Sequence, residues 1–247
     1  MGMKQILVMM AVLSSSVMAD EFVFKDPELS ALFAEHFEKP SGKFAPKPTF
    51  SQKELEKITH INWTSRDVSD DFFADLVRLP NLTELRLNKA KKLGDKYYKQ
   101  ISKLQNLVWL DLSRTGITAD GLVEVAKLQK LQWLFLSDTW VGDKGMKEVA
   151  KLQNLEKLYL DDTKITDEGL KEVAKLQKLK SLDLCNCKIT DDSFFSLAKL
   201  NNLKYLNLKD YVNGGYDRQD VRELESAMPK CEIHHMVHTI NPRLGTP

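Results

Sequence analysis

The stretch LQNLEKLYLDDTKITDEGLKEVAK, residues 152–175, decides the fold. Its first half alternates. Leu158 and Leu160 are interleaved with Lys157, Tyr159 and Asp161, the period of a strand with one buried face. Its second half changes period, with Leu170, Val173 and Ala174 at helical spacing and Lys171, Glu172 and Lys175 on the opposite side. Asp167 and its counterparts Asp143 and Asp191 stand just before the helical part, where a carboxylate can accept free helix N–H groups. The preceding threonines Thr118, Thr166 and Thr190 can do the same. One short strand and one short helix bury too little alone, so the unit needs neighbours.

The neighbours are further copies. A leucine opens a unit at Leu55, Leu79, Leu104, Leu128, Leu152, Leu176 and Leu200, 24 residues apart except between Leu79 and Leu104, where Lys91-Lys92 adds one. Stacking buries each unit's leucines against the next, and about three or more units are needed for stability. The pattern L-x-x-L-x-x-L-x-L-x-x-T-x-I-T-D-x-G-L-x-x-V-A-K resembles leucine-rich repeat proteins of the ITDxGL type, the class that includes cysteine-containing and ribonuclease-inhibitor-like repeats. The resemblance covers about 55–235. It implies an α/β solenoid, an arc or horseshoe with parallel strands on the concave face and helices on the convex face, serving as a binding scaffold.

The ends depart from the repeat, as caps must. Residues 20–54 read as an N-terminal cap helix and linker. Asp26 is the helix N-cap, Pro27 the first helical residue, Leu29, Leu32, Phe33 and Phe37 the apolar stripe, and Ser51 with Glu54 a capping box into the first unit. The solenoid itself is expected over 55–223, in about seven units. A C-terminal cap strand and tail follow over 224–247, after the longer loop DYVNGGYDRQD.

Residues 1–19 combine one lysine, an apolar run from Ile6 to Leu13 and a small-residue stretch ending Val17-Met18-Ala19, the layout of a secretory signal peptide. The apolar run is too short to span a bilayer. The expected location is therefore periplasmic or secreted, with no membrane insertion after cleavage, in what reads as a bacterial protein. Cleavage removes Lys4 and leaves 35 basic against 35 acidic residues. That balance gives no electrostatic case for nucleic acid. Three cysteines, Cys185, Cys187 and Cys231, do not make a disulfide framework.

With leucines assigned to the core, the residues between them face the concave side. One column runs His60, Glu84, Trp109, Trp133, Lys157, Ser181, Tyr205; the next runs Asn62, Arg86, Asp111, Phe135, Tyr159, Asp183, Asn207; a third runs Thr64, Asn88, Ser113, Ser137, Asp161, Cys185, Lys209. Strands lie about 4.8 Å apart, so neighbours in a column touch. Trp109, Trp133, Phe135 and Tyr159 should therefore form one aromatic patch, rimmed by Asp111, Asp161, Arg86 and Lys157, with Asp138 and Asp162 nearby. Trp140 should lie beyond it on the loop rim. An aromatic centre with a charged rim is the anatomy of a protein-binding hot spot.

Other clusters read more plainly. Lys89, Lys91, Lys92, Lys96, Lys99 and Lys103 suit a solvated edge, and Cys187, at a threonine position, suits a buried thiol. Cys231, His234, His235 and His238 lie on an extended segment whose adjacent histidines diverge, so no metal is assigned. Asp210, Asn213, Asp217 and Asp220 do not match a calcium loop. No nucleophile elbow, zincin, phosphate-loop or dinucleotide motif is present, and the histidines lie at the two ends. The expectation is a non-catalytic module without cofactors that binds a protein or peptide. Carbohydrate on the same face is the alternative. A structural role in a membrane complex is a third reading, because LKYLNLKDY…ELESAMPKCEI loosely resembles the last repeat of small leucine-rich subunits of mitochondrial respiratory complexes.

Overall fold

The computed structural model describes residues 21–40, 46–90, 92–210 and 215–236. The leader over 1–19, part of the linker, Lys91, Asn213 and the tail with His238 lie outside the described residues. In chain order the elements are β1 (Glu21–Phe22), α1 (Pro27–His36), β2 (Phe50–Ser51), α2 (Gln52–Leu55), β3 (His60–Asn62), α3 (Asp70–Leu76) and β4 (Glu84–Arg86). Then come α4 (Asp95–Ile101), β5 (Trp109–Asp111), α5 (Ala119–Val125), β6 (Trp133–Phe135), α6 (Asp143–Val149), β7 (Lys157–Tyr159) and α7 (Asp167–Val173). The chain closes with β8 (Ser181–Asp183), a 3₁₀ turn (Asp191–Ser193), α8 (Phe194–Leu197), β9 (Tyr205–Leu208), α9 (Arg218–Ala227) and β10 (Glu232–His235). Contacts divide the described residues into two compact units: those up to Thr59 with Ser69–Leu82, and His60–Val68 with those from Thr83 onward.

In the first unit β1 and β2 pair antiparallel, and Phe22, Phe33 and Phe50 surround Phe24 at ring separations of 4.5–5.1 Å. Asp26 caps α1 by accepting the amides of Glu28 and Leu29, and Ser51 with Glu54 forms the capping box at α2. A buried carboxylate ties these pieces together. Asp75 Oδ2 accepts the amides of Lys25 at 2.7 Å and Asp26 at 2.8 Å, while the Ser69 hydroxyl donates to Asp26. Burial pushes the Asp75 carboxyl above the usual carboxylate range, against the pull of those two N–H donors.

The second unit is a single parallel sheet, β3 to β10 in chain order, with a helix in each connection from α4 onward. This is the expected α/β repeat solenoid. One row of apolar side chains, Ile61, Leu85, Leu110, Leu134, Leu158, Leu182 and Leu206, is buried at mid-strand. A second, Trp63, Leu87, Leu112, Leu136, Leu160, Leu184 and Leu208, is buried just beyond it. Trp63 substitutes for leucine in that row and satisfies its indole N–H on the Asp67 carbonyl at 2.9 Å. Below the rows, the buried hydroxyls of Thr115, Thr139 and Thr163 donate to the Leu112, Leu136 and Leu160 carbonyls, each at 2.6 Å. Cys187 fills the next such position and is buried, as its place in the repeat implies.

The helix ends are satisfied in a way the repeat alone does not suggest. Asp143 does not cap its own helix: it is the first residue of α6, behind Gly142, which has no side chain to offer. Its carboxylate reaches into the following unit and accepts the Thr166 and Gly169 amides at 2.8 and 3.0 Å and the Thr166 hydroxyl at 2.8 Å. Asp167 repeats the arrangement on Thr190. Gly169 is required by that approach, since a Cβ there would meet the Asp143 carboxylate at 2.5 Å. At the other helix ends, the side-chain amides of Gln105, Gln129, Gln153 and Gln177 donate to the Ser102, Ala126, Ala150 and Ala174 carbonyls.

The odd residue in the second repeat leaves the sheet undisturbed: Glu84 still pairs with Trp109 and Arg86 with Asp111. The turn after β4 absorbs it, with Lys89 and Lys92 both at positive φ and Lys92 paired to Asp67 at 2.8 Å. At the end of the chain, β10 adds an eighth strand to the sheet, and α9 runs from 218 to 227, across the 223/224 boundary read from the sequence.

Candidate functional site

Strand pairing assembles the exposed face residue by residue. Trp109 pairs with Trp133 and Trp133 with Lys157; Arg86 pairs with Asp111, Asp111 with Phe135, and Phe135 with Tyr159. The first two columns read from the sequence are columns of the sheet. β10 extends them with Glu232 beside Tyr205 and His234 beside Asn207, and the His234 ring lies 5.1 Å from that of Tyr205. His234 as part of this face is legible only once the closing strand is known to be parallel and in register.

The four aromatic rings meet. Phe135 lies between two neighbours, Tyr159 at 4.6 Å and 9° and Trp109 at 5.1 Å and 20°. Trp109 also touches Trp133 at 4.3 Å with the planes tilted by 48°. Centroid spacings this close to the strand spacing mean that the stack runs across the strands. Both faces of Phe135 are therefore covered. The indole N–H of Trp109 is buried, with no hydrogen-bond partner among the described residues.

The charged residues read as a rim take different places. Lys157 sits over Trp133, its ammonium 3.8 Å from the ring centre, and the Arg86 guanidinium lies 4.7 Å from that of Trp109. Each cation thus lies against a tryptophan ring of the stack. Arg86 is also held by Glu84 at 2.6 Å, a same-face partner two residues away. Asp111 is half-buried and turns back to accept the Ser113 amide at 2.9 Å. Asp161 accepts the Ser137 hydroxyl. Burial raises the carboxyl of each above its ordinary value. For Asp161 the charges of Asp183 and Asp162 add to the effect. Of the outlying acids, Asp138 pairs loosely with Arg114 at 3.4 Å and Asp162 accepts the Asn186 amide at 3.0 Å.

Trp140 is 65% exposed, and its ring meets Lys164 of the next unit at 4.0 Å, at the bridge that links Gly142 to Lys164. It belongs to the turn leading into α6 and takes no part in the ring stack. The three cysteines are free. Burial, reinforced by Asp183, pushes the Cys185 thiol to about 11, and burial pushes Cys187 to about 12 and Cys231 to about 11. None is an activated nucleophile. Among the described residues, no helix is long and apolar enough to cross a membrane.

Comparison with known proteins agrees with this architecture. A family model described as "Leucine-rich repeat region" matches residues 62–241. A search of curated proteins gave no match. Among solved structures, internalin C2 from Listeria monocytogenes is similar at 23% identity, covering 87% of this chain and 98% of its own, with a TM-score of 0.63. A second internalin from the same species is similar at 21% identity, covering 86% of this chain and 63% of its own, with a TM-score of 0.59. A leucine-rich repeat protein from Leptospira interrogans is similar at 23% identity, covering 73% of this chain and 50% of its own, with a TM-score of 0.51. At these identities the likeness is one of fold. With the family model spanning most of its length, the chain belongs to the leucine-rich repeat family.

Proposed function

We propose that this is a non-catalytic protein- or peptide-binding module of the ITDxGL subtype, exported by a bacterium, whose ligand docks on the ridge formed by Trp109, Trp133, Phe135 and Tyr159. The observation that carries this reading is how the rings are used. Both faces of Phe135 are taken by neighbours, and cations lie over Trp133 and Trp109. What the ridge offers is largely ring edges and two cationic tops. A sugar platform needs an open, flat ring face, and on this ridge that leaves chiefly the far side of Tyr159. Protein surfaces make good use of edges, through aliphatic and aromatic side chains and through carbonyls and carboxylates directed at Arg86 and Lys157. Export rests on the leader-like residues 1–19. The raised thiols and the confinement of histidines to the chain ends favour binding over catalysis.

The test is capture from the extracellular or periplasmic fraction of the source organism with the mature chain and with a Trp109→Ala/Trp133→Ala/Phe135→Ala variant, whose folding is checked by circular dichroism. A protein retained by the parent and lost by the folded variant supports the ridge as the site. Equal retention by both sinks it. Retention of polysaccharide in place of protein decides for the carbohydrate alternative.

A further inference from the structure

A second departure from the repeat lies on a helix. Two residues past the glycine, α5, α6 and α7 carry Val123, Lys147 and Lys171, while α8 carries Phe195 there, 74% exposed. The next position holds Glu124, Glu148 and Glu172, which bind Lys127, Lys151 and Lys175 at 2.6–2.7 Å. In α8 that glutamate is Ser196, and the corresponding Lys199 lies instead 4.5 Å from the Phe195 ring centre. Outward helix positions are usually polar for solvation, and an aromatic ring as exposed as Phe195 buries little in the fold.

Beside it lies a cleft of about 300 Å³ between α8 and α9. Its walls are the 3₁₀ turn Asp191–Ser193 with α8 on one side and the ten-residue α9 on the other. Its apolar lining includes Phe195, Ala198, Leu224 and Ala227. Its polar lining is all acidic and includes Asp192, Asp220 and Glu223, with no lysine or arginine among the lining residues. An anionic bilayer or a nucleic acid would be repelled by that rim, and an acidic peptide likewise.

We propose that this cleft is a second docking surface, for a cationic amphipathic segment of a partner protein. The segment's apolar side seats on Phe195, Ala198, Leu224 and Ala227, and its lysines or arginines pair with Asp192, Asp220 and Glu223. The surface is separate from the ring stack and does not depend on it.

The test titrates the full chain into a fluorescently labelled helical peptide with one leucine and one lysine face, and into the same peptide with glutamate for lysine. Phe195→Lys restores the residue type of the sister helices, so its fold should be kept; Asp220→Asn/Glu223→Gln removes rim charge without touching the floor. The expected result is binding of the lysine peptide that weakens about tenfold or more in each variant and with added salt, no binding of the glutamate peptide, and unchanged binding in Trp133→Ala/Phe135→Ala. Equal affinity in parent and Phe195→Lys would overturn the proposal, as would loss confined to the strand-face variant. Sedimentation showing self-association of the parent that Phe195→Lys abolishes would assign the cleft to a second copy and also overturn it.

Discussion

Asp143 and Thr166 belong to successive repeats, yet the carboxylate of the first holds the helix start of the second, accepting both its amide and its hydroxyl at 2.8 Å. Thr166 caps its own helix through Glu168, and Asp143 adds acceptors for that same helix start from the preceding unit, so it stabilises the interface between units rather than a single helix. Asp143→Ala should therefore cost about 2 kcal/mol, within the range for charge-assisted bonds to part-buried donors. Gly169→Ala should cost a similar amount by displacing the same carboxylate, and the double variant should cost clearly less than the sum. Urea denaturation of the four proteins checks this; additive losses would show that the two sites act separately.

Core and face should separate by magnitude. Leu134→Ala, between the two aromatic neighbours on β6, should cost about 2–5 kcal/mol as a buried deletion. Phe135→Ala removes two ring contacts and should cost about 1–3 kcal/mol. Lys157→Ala should cost no more than about 1 kcal/mol. A Phe135→Ala loss as large as that of Leu134→Ala would mean that the ridge is part of the fold's support rather than an available surface.

The raised carboxyls of Asp111 and Asp161 set a sign for pH dependence. A carboxyl whose folded pKa lies above its unfolded value, about 3.9, binds its proton more tightly in the folded state. Its contribution is fully present below that unfolded value and is lost as pH rises through the higher folded one. Asp111→Asn and Asp161→Asn keep an acceptor for Ser113 and Ser137 while removing the buried charge. Each should be at least as stable as the parent at pH 7, with a flatter stability profile between pH 4 and neutrality. Urea midpoints across that range decide, and a variant less stable at pH 7 contradicts the burial argument.

Asp75 offers a contrast, because it is buried with work to do. Asp75→Ala orphans the Lys25 and Asp26 amides and should cost about 3 kcal/mol. Hydrogen exchange should show those two amides losing protection before the amides of the β5–β7 sheet respond.

Thiol chemistry gives an independent check on burial. With Cys185 and Cys231 pushed to about 11 and Cys187 to about 12, all three should alkylate slowly at neutral pH. Cys187 should react only after denaturant is added. Rapid labelling of Cys187 in the native protein would place it outside the core.

What the sequence made legible follows from periodicity. Alternation fixes which residues share a face, and the 24-residue spacing fixes which lie side by side, so periodicity alone brings Trp109, Trp133, Phe135 and Tyr159 together. Rotamers carry no such period. That Arg86 and Lys157 sit over tryptophans instead of ringing them is a matter of side-chain conformation. The aspartates just inside the helices look like local caps in the sequence, which shows offsets along the chain and not the shorter path to the adjacent unit. Phe195, as a single outward residue, alters no pattern, and only alignment of α8 with its sister helices sets it apart.

The turn after β4 takes up an extra residue while Glu84 and Trp109 remain in register. Length is thus free at that point and fixed a few residues later. A tag or further segment placed between Ala90 and Leu93 should leave the strand face intact. One residue added between Leu110 and Leu112 would instead send Asp111 inward and a leucine out to solvent. Such turns are where a repeat protein of this kind can be lengthened, labelled or joined to another without changing what it binds.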